Sequence, residues 1–216
     1  MPCSSTWTRH PIFIQNVLCT DESQFTRDGI VNRHNQHFWA GTNPHWTRAT
    51  HHQVRWSTNV WCGIWRNTLV GPIFYQGTLN GGRYLELLRI HICAWADELP
   101  LATLRETWFQ QDGAPPHKLR EVTELLTATF GDQWMGQYGP TRWPPRSPDL
   151  SPLDFFLWGY LKDEVYATPP RDLDDLKVRV ENACRQLTPD VLRNVLENME
   201  CRLHNALVMM VGISNK

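Results

Sequence analysis

Apolar and polar positions change period along this chain, and the changes mark its elements. From 12 to 25, IFIQNVLCTDESQF begins as a near-continuous apolar run and ends polar, the pattern of an inner strand emerging at a sheet edge. Asp28-Gly29 then predicts a hairpin, so a second strand within TRDGIVNRHNQHFW should lie antiparallel to the first. Residues 40–55, with Asn43-Pro44 and His51-His52, read as loop. STNVWCGIW (57–65) predicts a third strand, and LVGPIFY (69–75) a short extension of it.

From Asn80 the period lengthens: Tyr84, Leu87, Leu88, Ile92 and Trp95 recur at helical spacing. TWFQQDGA (107–114) predicts a short strand that stops at Asp112-Gly113, and 117–130 a helix with Leu119, Val122, Leu125 and Leu126 on its apolar face. After a proline-rich connection, a helix is expected from about Ser151 to Tyr166, with Leu153, Phe156, Leu157, Tyr160 and Leu161 on one side. Two amphipathic helices close the chain, at 172–187 and 189–207; Thr188 is placed to cap the second, with Pro189 in its first turn. Strands with a hairpin, then helix, strand, helix, a short extended piece and helices make an α/β pattern with a mixed sheet.

Composition narrows the class. A chain of 216 residues with 41% hydrophobic and 20% charged positions suits one large domain, or one domain with a helical extension. No run approaches the ~20 apolar residues that span a bilayer, and no basic segment followed by an apolar one opens the chain, so the expectation is an intracellular protein without a membrane partner. Six scattered cysteines (Cys3, Cys19, Cys62, Cys93, Cys184, Cys201) contain no CxxC, which argues against zinc and against a disulfide scaffold. Reduced thiols are expected, with Cys62 and Cys93 buried. The net charge of −1 is unlike that of a dedicated nucleic-acid binder, so any grip on DNA must come from a local patch, another domain or a partner.

Three aspartates stand where such sheets mount chemistry: Asp21 near the end of the first strand, Asp112 ending a later one, Asp154 opening the helix after the prolines. Clustered carboxylates repel one another, and divalent cations relieve that repulsion. Plainer roles are open for each. Asp21 could be a polar strand end, with Glu22 as the ligand instead. Asp112 could simply begin an Asp-Gly turn. Ser151-Pro152-Leu153-Asp154 fits a capping box, and Asp149 fits a turn opened by Ser-Pro.

Four stretches in order, TDESQFTRDGIVNRHNQHFWAGTNPH, VWCGI with GPIFY, WFQQDGAPPH and WPPRSPDLSPLDFFLWGYLKDEVY, together resemble the catalytic domain of mariner-type DDE transposases of the Tc/mariner superfamily. The resemblance runs from about Val17 to the last helix. It implies an RNase H-like fold, a five-stranded mixed sheet flanked by helices, with C-terminal helices. It implies a short segment at 1–16, the catalytic domain at 17–168, and a helical extension at 169–216 packed on that domain. Thr20-Asp21-Glu22 matches the family's first motif, DGAPPH its second, and SPDLSPLD its third, so Asp21, Asp112 and Asp154 take the catalytic, metal-binding role. Forty-one residues separate Asp112 from Asp154, more than in the family's familiar members, and the added length falls around GDQWMGQYGPTRWPP.

The implied reaction is phosphodiester hydrolysis at a transposon end with two Mg²⁺ or Mn²⁺ ions, followed by attack of the freed 3′-hydroxyl on target DNA. Water and the 3′-hydroxyl serve as nucleophiles, without a covalent enzyme intermediate. His117, Arg142 and Arg146 are candidate DNA contacts. The implied partners are transposon ends and target DNA, a homodimer is compatible with them, and the implied location is the nucleus. Family members carry helix-turn-helix modules ahead of this domain, for which the twenty residues before Asp21 leave no room. The alternative is therefore a truncated or domesticated remnant that binds nucleic acid without autonomous transposition. A cellular RNase H-type nuclease fits less well, because the SPDLSPLDFF loop is a transposase feature.

Overall fold

The computed structural model describes residues 12–27, 29, 56–144 and 147–214, with side chains from Phe13 to Ala206. Short helix α1 (Ile12–Gln15) leads into β1 (Val17–Thr26), and β2 (Ser57–Trp65) and β3 (Thr68–Tyr75) follow. Beyond them come β4 (Trp108–Gln110), β5 (Trp134–Gly136) and β6 (Thr141–Arg142). The sheet order is β3-β2-β1-β4-β5-β6. β1, β2 and β3 pair antiparallel, and β1, β4, β5 and β6 pair parallel.

Helices cover both faces. On one side lie α2 (Gly81–Leu87), a π-helical stretch (Leu88–Cys93), α3 (Ala94–Asp97), and α5 (Arg120–Phe130). Between them α4 (Leu101–Leu104) bridges to β4. On the other side lie α6 (Trp158–Val165), α7 (Leu173–Gln186) and α8 (Pro189–Ser214). Strand alternation divides the core accordingly. Val17, Cys19 and Phe25 of β1 pack with α6, α7 and α8, while Leu18 packs with Tyr84, Val122 and Leu126.

Several expectations change. Among the described residues β1 takes β2 as its antiparallel neighbour, from Cys19↔Ile64 to Thr26↔Ser57. The strand expected after Asp28-Gly29, the loop at 40–55, and Cys3 lie outside the described residues. LVGPIFY belongs to a strand of its own, because a two-residue turn with Arg66 at φ 55° reverses the chain between Trp65 and Thr68. Pro72 is tolerated there because β3 is an edge strand. Among the described residues the sheet has six strands, where five were expected. The sixth is the two-residue β6, formed where the Gln137–Pro140 turn lays Thr141 and Arg142 beside Met135 and Gly136. Cys93 is half-buried, whereas Cys62 is fully buried.

The helix expected from Ser151 opens as a π-helical turn, Leu153–Leu157, before α6 begins. Its mark is the Trp158 backbone N–H, which reaches back five residues to the Leu153 carbonyl. π-turns are rare in helices and concentrate at functional sites. This one carries Asp154.

Candidate active site

Successive residues of a strand face opposite sides of the sheet, and this separates the two acids of the first motif. Asp21 faces α6; Glu22 faces α2 and the single-turn 3₁₀ helix Pro115–Lys118. β4 runs parallel to β1 with Cys19 level with Gln110, and the Thr20 hydroxyl donates to the Gln110 carbonyl at 2.7 Å. Pairing stops there. Asp21 and Asp112 each lie two residues past that level, where the chains part. Asp154 comes from the π-turn on the α6 side. The three aspartates line one cavity of about 720 Å³, with Lys118, Gln137 and Arg142 on its walls.

Asp21 and Asp154 are close enough to share a hydrogen bond. Burial, and then the charge of Asp154, push the Asp21 carboxyl up to about 7, against the hydrogen bond it accepts from Trp158. That bond, from indole Nε1 to Oδ2, is 2.7 Å long. Asp154 is raised too, by burial and by the Asp112 charge, while the Ser151 side chain and the Lys162 charge oppose the rise. The Ser151 side chain bonds to the Asp154 carboxyl, and the Ser151 backbone N–H, which a capping box would give to Asp154, goes instead to the Pro148 carbonyl. The capping-box expectation gives way to a bond between the two side chains.

Asp112 is held differently. Its Oδ1 accepts from the Ala114 backbone N–H at 2.8 Å, closing an Asx turn, and lies 2.8 Å from His117 Nδ1. The 3₁₀ turn swings His117 inward to 4% exposure, between Asp112 and Glu22, whose Oε1 is 3.5 Å from Nε2. Tyr84 lies against the imidazole, with ring centroids 4.2 Å apart. Burial alone would lower His117; the bonds and charges of Asp112 and Glu22 outweigh it and raise the group to about 10. Asp112 answers in kind. Its partial burial favours the acid, but the His117 bond and charge hold it below the usual carboxylate range.

The donor set suits a divalent cation: hard oxygen ligands, two of whose three carboxyls are raised by burial and then by a neighbouring carboxylate's charge. Among the described residues, however, no three His, Cys, Asp or Glu side chains converge as a closed ligand shell. Asp21 and Asp154 adjoin, while Asp112 turns to His117. The fit is thus a pair of carboxylates with the third across the cavity.

The remaining candidates separate by position. Arg142 is exposed at the cavity rim, and its guanidinium donates to the Gln137 carbonyl. Arg146 lies outside the described residues. His117 is interior, where it meets carboxylates. Asp149 sits in a 3₁₀ turn (Pro148–Leu150) whose carbonyl accepts from Arg202 of α8 at 3.3 Å. Sequence reasoning passed over Trp158 and Lys162, whose only signal was helical spacing of four and eight from Asp154.

A family model described as DDE superfamily endonuclease matches residues 16–177. The Tc3 transposase of Caenorhabditis elegans is 27% identical over 150 residues, 67% of this chain and 41% of that protein. The structure of a Mos1 transposase paired-end complex with the left transposon end superposes with a TM-score of 0.66 at 16% identity, covering 88% of this chain and 54% of that one. The Mos1 catalytic domain with raltegravir and Mg gives 0.63 at 15% identity, over 88% and 80%. At these identities the likeness to Mos1 is one of fold. The chain spans about two-fifths of the Tc3 protein.

Proposed function

Because the chain belongs to the DDE superfamily endonuclease family, we propose that it carries the catalytic domain of a transposase, cutting DNA at a transposon end and joining the freed 3′-hydroxyl to target DNA. The meeting of Asp21, Asp112 and Asp154 in one cavity carries this reading. They come from a strand, a loop and a helix start that the RNase H-like sheet brings together.

Asp21 and Asp154 would hold a divalent ion, Mg²⁺ or Mn²⁺, with Asp112 contributing from across the cavity. Two such ions would activate the attacking oxygen and stabilise the leaving one. The chain's own residues do the rest. Asp112 is kept ionised by His117, so His117 acts by orienting a carboxylate rather than by touching DNA. Arg142 and Lys118 place positive charge on the cavity wall, where a phosphodiester backbone would lie. Arg146, close by in sequence, is proposed as a further DNA contact. DNA is the partner, two copies of the chain at paired ends fit the same reading, and the place of action is the nucleus. Residues 17–168 form the catalytic unit, preceded by the segment at 1–16, with 169–216 packed on it as a helical extension.

The test is nicking of supercoiled plasmid in Mg²⁺ or Mn²⁺. Wild type should nick, while Asp154→Asn and Asp21→Asn should lose at least ~100-fold in rate, the scale on which loss of a single electrostatic catalytic group is felt. Equal nicking by wild type and Asp154→Asn would remove Asp154 from the machinery.

A further inference from the structure

Trp158 is 5% exposed and sits one turn beyond Asp154. An indole has one donor and no acceptor, so its bond to Asp21 Oδ2 runs in one direction only. The ring has little freedom to leave. It packs edge-on to Phe25 at 6.4 Å, and Phe25 stacks on Tyr166 at 6.4 Å. The Tyr166 hydroxyl donates to the Thr26 carbonyl at 2.6 Å and accepts from the Thr26 N–H at 3.0 Å. Both ends of α6 are therefore fastened to β1, at Asp21 and at Thr26. Asp154, Trp158 and Lys162 follow at intervals of four toward that strand, and the Lys162 ammonium lies 5.7 Å from the Phe25 ring centroid.

We infer that Trp158 is a positioning residue: the helix start that supplies Asp154 also supplies, through the Trp158 N–H, the hydrogen bond that orients the Asp21 carboxylate for a divalent cation. With Oδ2 engaged by the indole, Oδ1 is the oxygen left free of that bond. One helix thus carries Asp154 and holds Asp21, and its start cannot leave β1 without breaking a buried bond. Loss of a donor that orients a ligand from behind typically costs 10- to 100-fold in metal affinity.

The inference rests on the reading of Asp21 as a metal ligand, and the test separates the two. Trp158→Phe keeps an aromatic ring against Phe25 and removes only the donor and the second ring. Mn²⁺ binding would be measured by calorimetry and by electron paramagnetic resonance, beside urea unfolding of each protein. Wild type should bind, and W158F should unfold close to wild type yet bind Mn²⁺ about tenfold or more weakly. Equal Mn²⁺ affinity in the two proteins overturns the positioning role and leaves the metal reading standing; no binding by wild type overturns both. Should W158F not fold, the indole ¹⁵N–¹H resonances of wild type decide instead. One of them should shift on adding Mg²⁺, and the same one should shift in Asp21→Asn; if none moves in Asp21→Asn, the inference falls.

Discussion

At the scale of single residues, the site stores charge that the protein alone does not neutralise. Asp21, raised to about 7, keeps a proton in the folded chain that an unfolded chain gives up near pH 4. Between those values Asp21 holds more proton in the native state than in the unfolded one, so its contribution to the stability of the metal-free protein is lost as pH rises from about 4 to 7. Asp21→Asn carries no such proton. Urea midpoints for the two proteins at pH 4.5 and pH 8 should diverge, with the variant gaining relative to wild type at the higher pH; parallel midpoints would contradict a raised Asp21. The three aspartates could be picked out from the sequence because their motifs are local. What lay beyond it was the environment of each. Whether Asp21 or Glu22 faces the cavity depends on which sheet face α6 covers, a tertiary fact. His117 was a candidate DNA contact, and what the sequence did not show is that it pairs in the interior with Glu22, 95 positions earlier.

At the scale of elements, helices were legible and strand partners were not. The 3.6-residue period at 120–130, 173–186 and 189–206 survives in the structure because each helix buries one face, while the helix expected from Asn80 is interrupted by the π-helical stretch Leu88–Cys93. The π-turn at Leu153–Leu157 left no trace in that period, since Leu153, Leu157, Leu161 and Val165, all fully buried, follow at intervals of four straight through it. The strand expected after Asp28-Gly29 lies outside the described residues; within them β1 pairs with β2 over eight residues, a partner starting 40 positions later that no local signal names. The π-turn depends on what anchors it. Leu153 and Leu157 are fully buried beneath it, so Leu157→Ala should cost about 2–5 kcal/mol of stability by leaving a cavity. A urea titration measures that cost, and Mn²⁺ affinity should weaken alongside it as Asp154 loses its support. A variant that loses stability but binds Mn²⁺ as wild type does would show that the α6 bond to Asp21 alone fixes the helix start.

At the scale of the whole molecule, the near-neutral charge and the shared core carry different messages. A net charge of −1 cannot hold DNA by itself, so the cations on the cavity wall matter more than the total. The core concerns integrity. Leu176, Val180 and Ala183 of α7, and Leu192, Leu196 and Met199 of α8, are buried in the same cluster as Val17 and Cys19 of β1, Ile64 of β2, and Leu157 and Leu161 beside the site. Met199 reaches the strand that carries Asp21, its sulfur 3.9 Å from the Cys19 thiol. Burying a leucine, valine or methionine contributes about 1.5–3 kcal/mol, so these two helices together contribute on the order of 10 kcal/mol, comparable to the entire stability of a domain. A chain ending at Thr168 would expose the outer face of α6 and strip the cover from β1 and β2. It should lose cooperative urea unfolding, bind a hydrophobic dye such as ANS, and fail to bind Mn²⁺ even though Asp21, Asp112 and Asp154 are all still present. If the shortened chain instead unfolds cooperatively and binds Mn²⁺ like the longer one, residues 169–216 are an appendage to the catalytic unit and not part of its core.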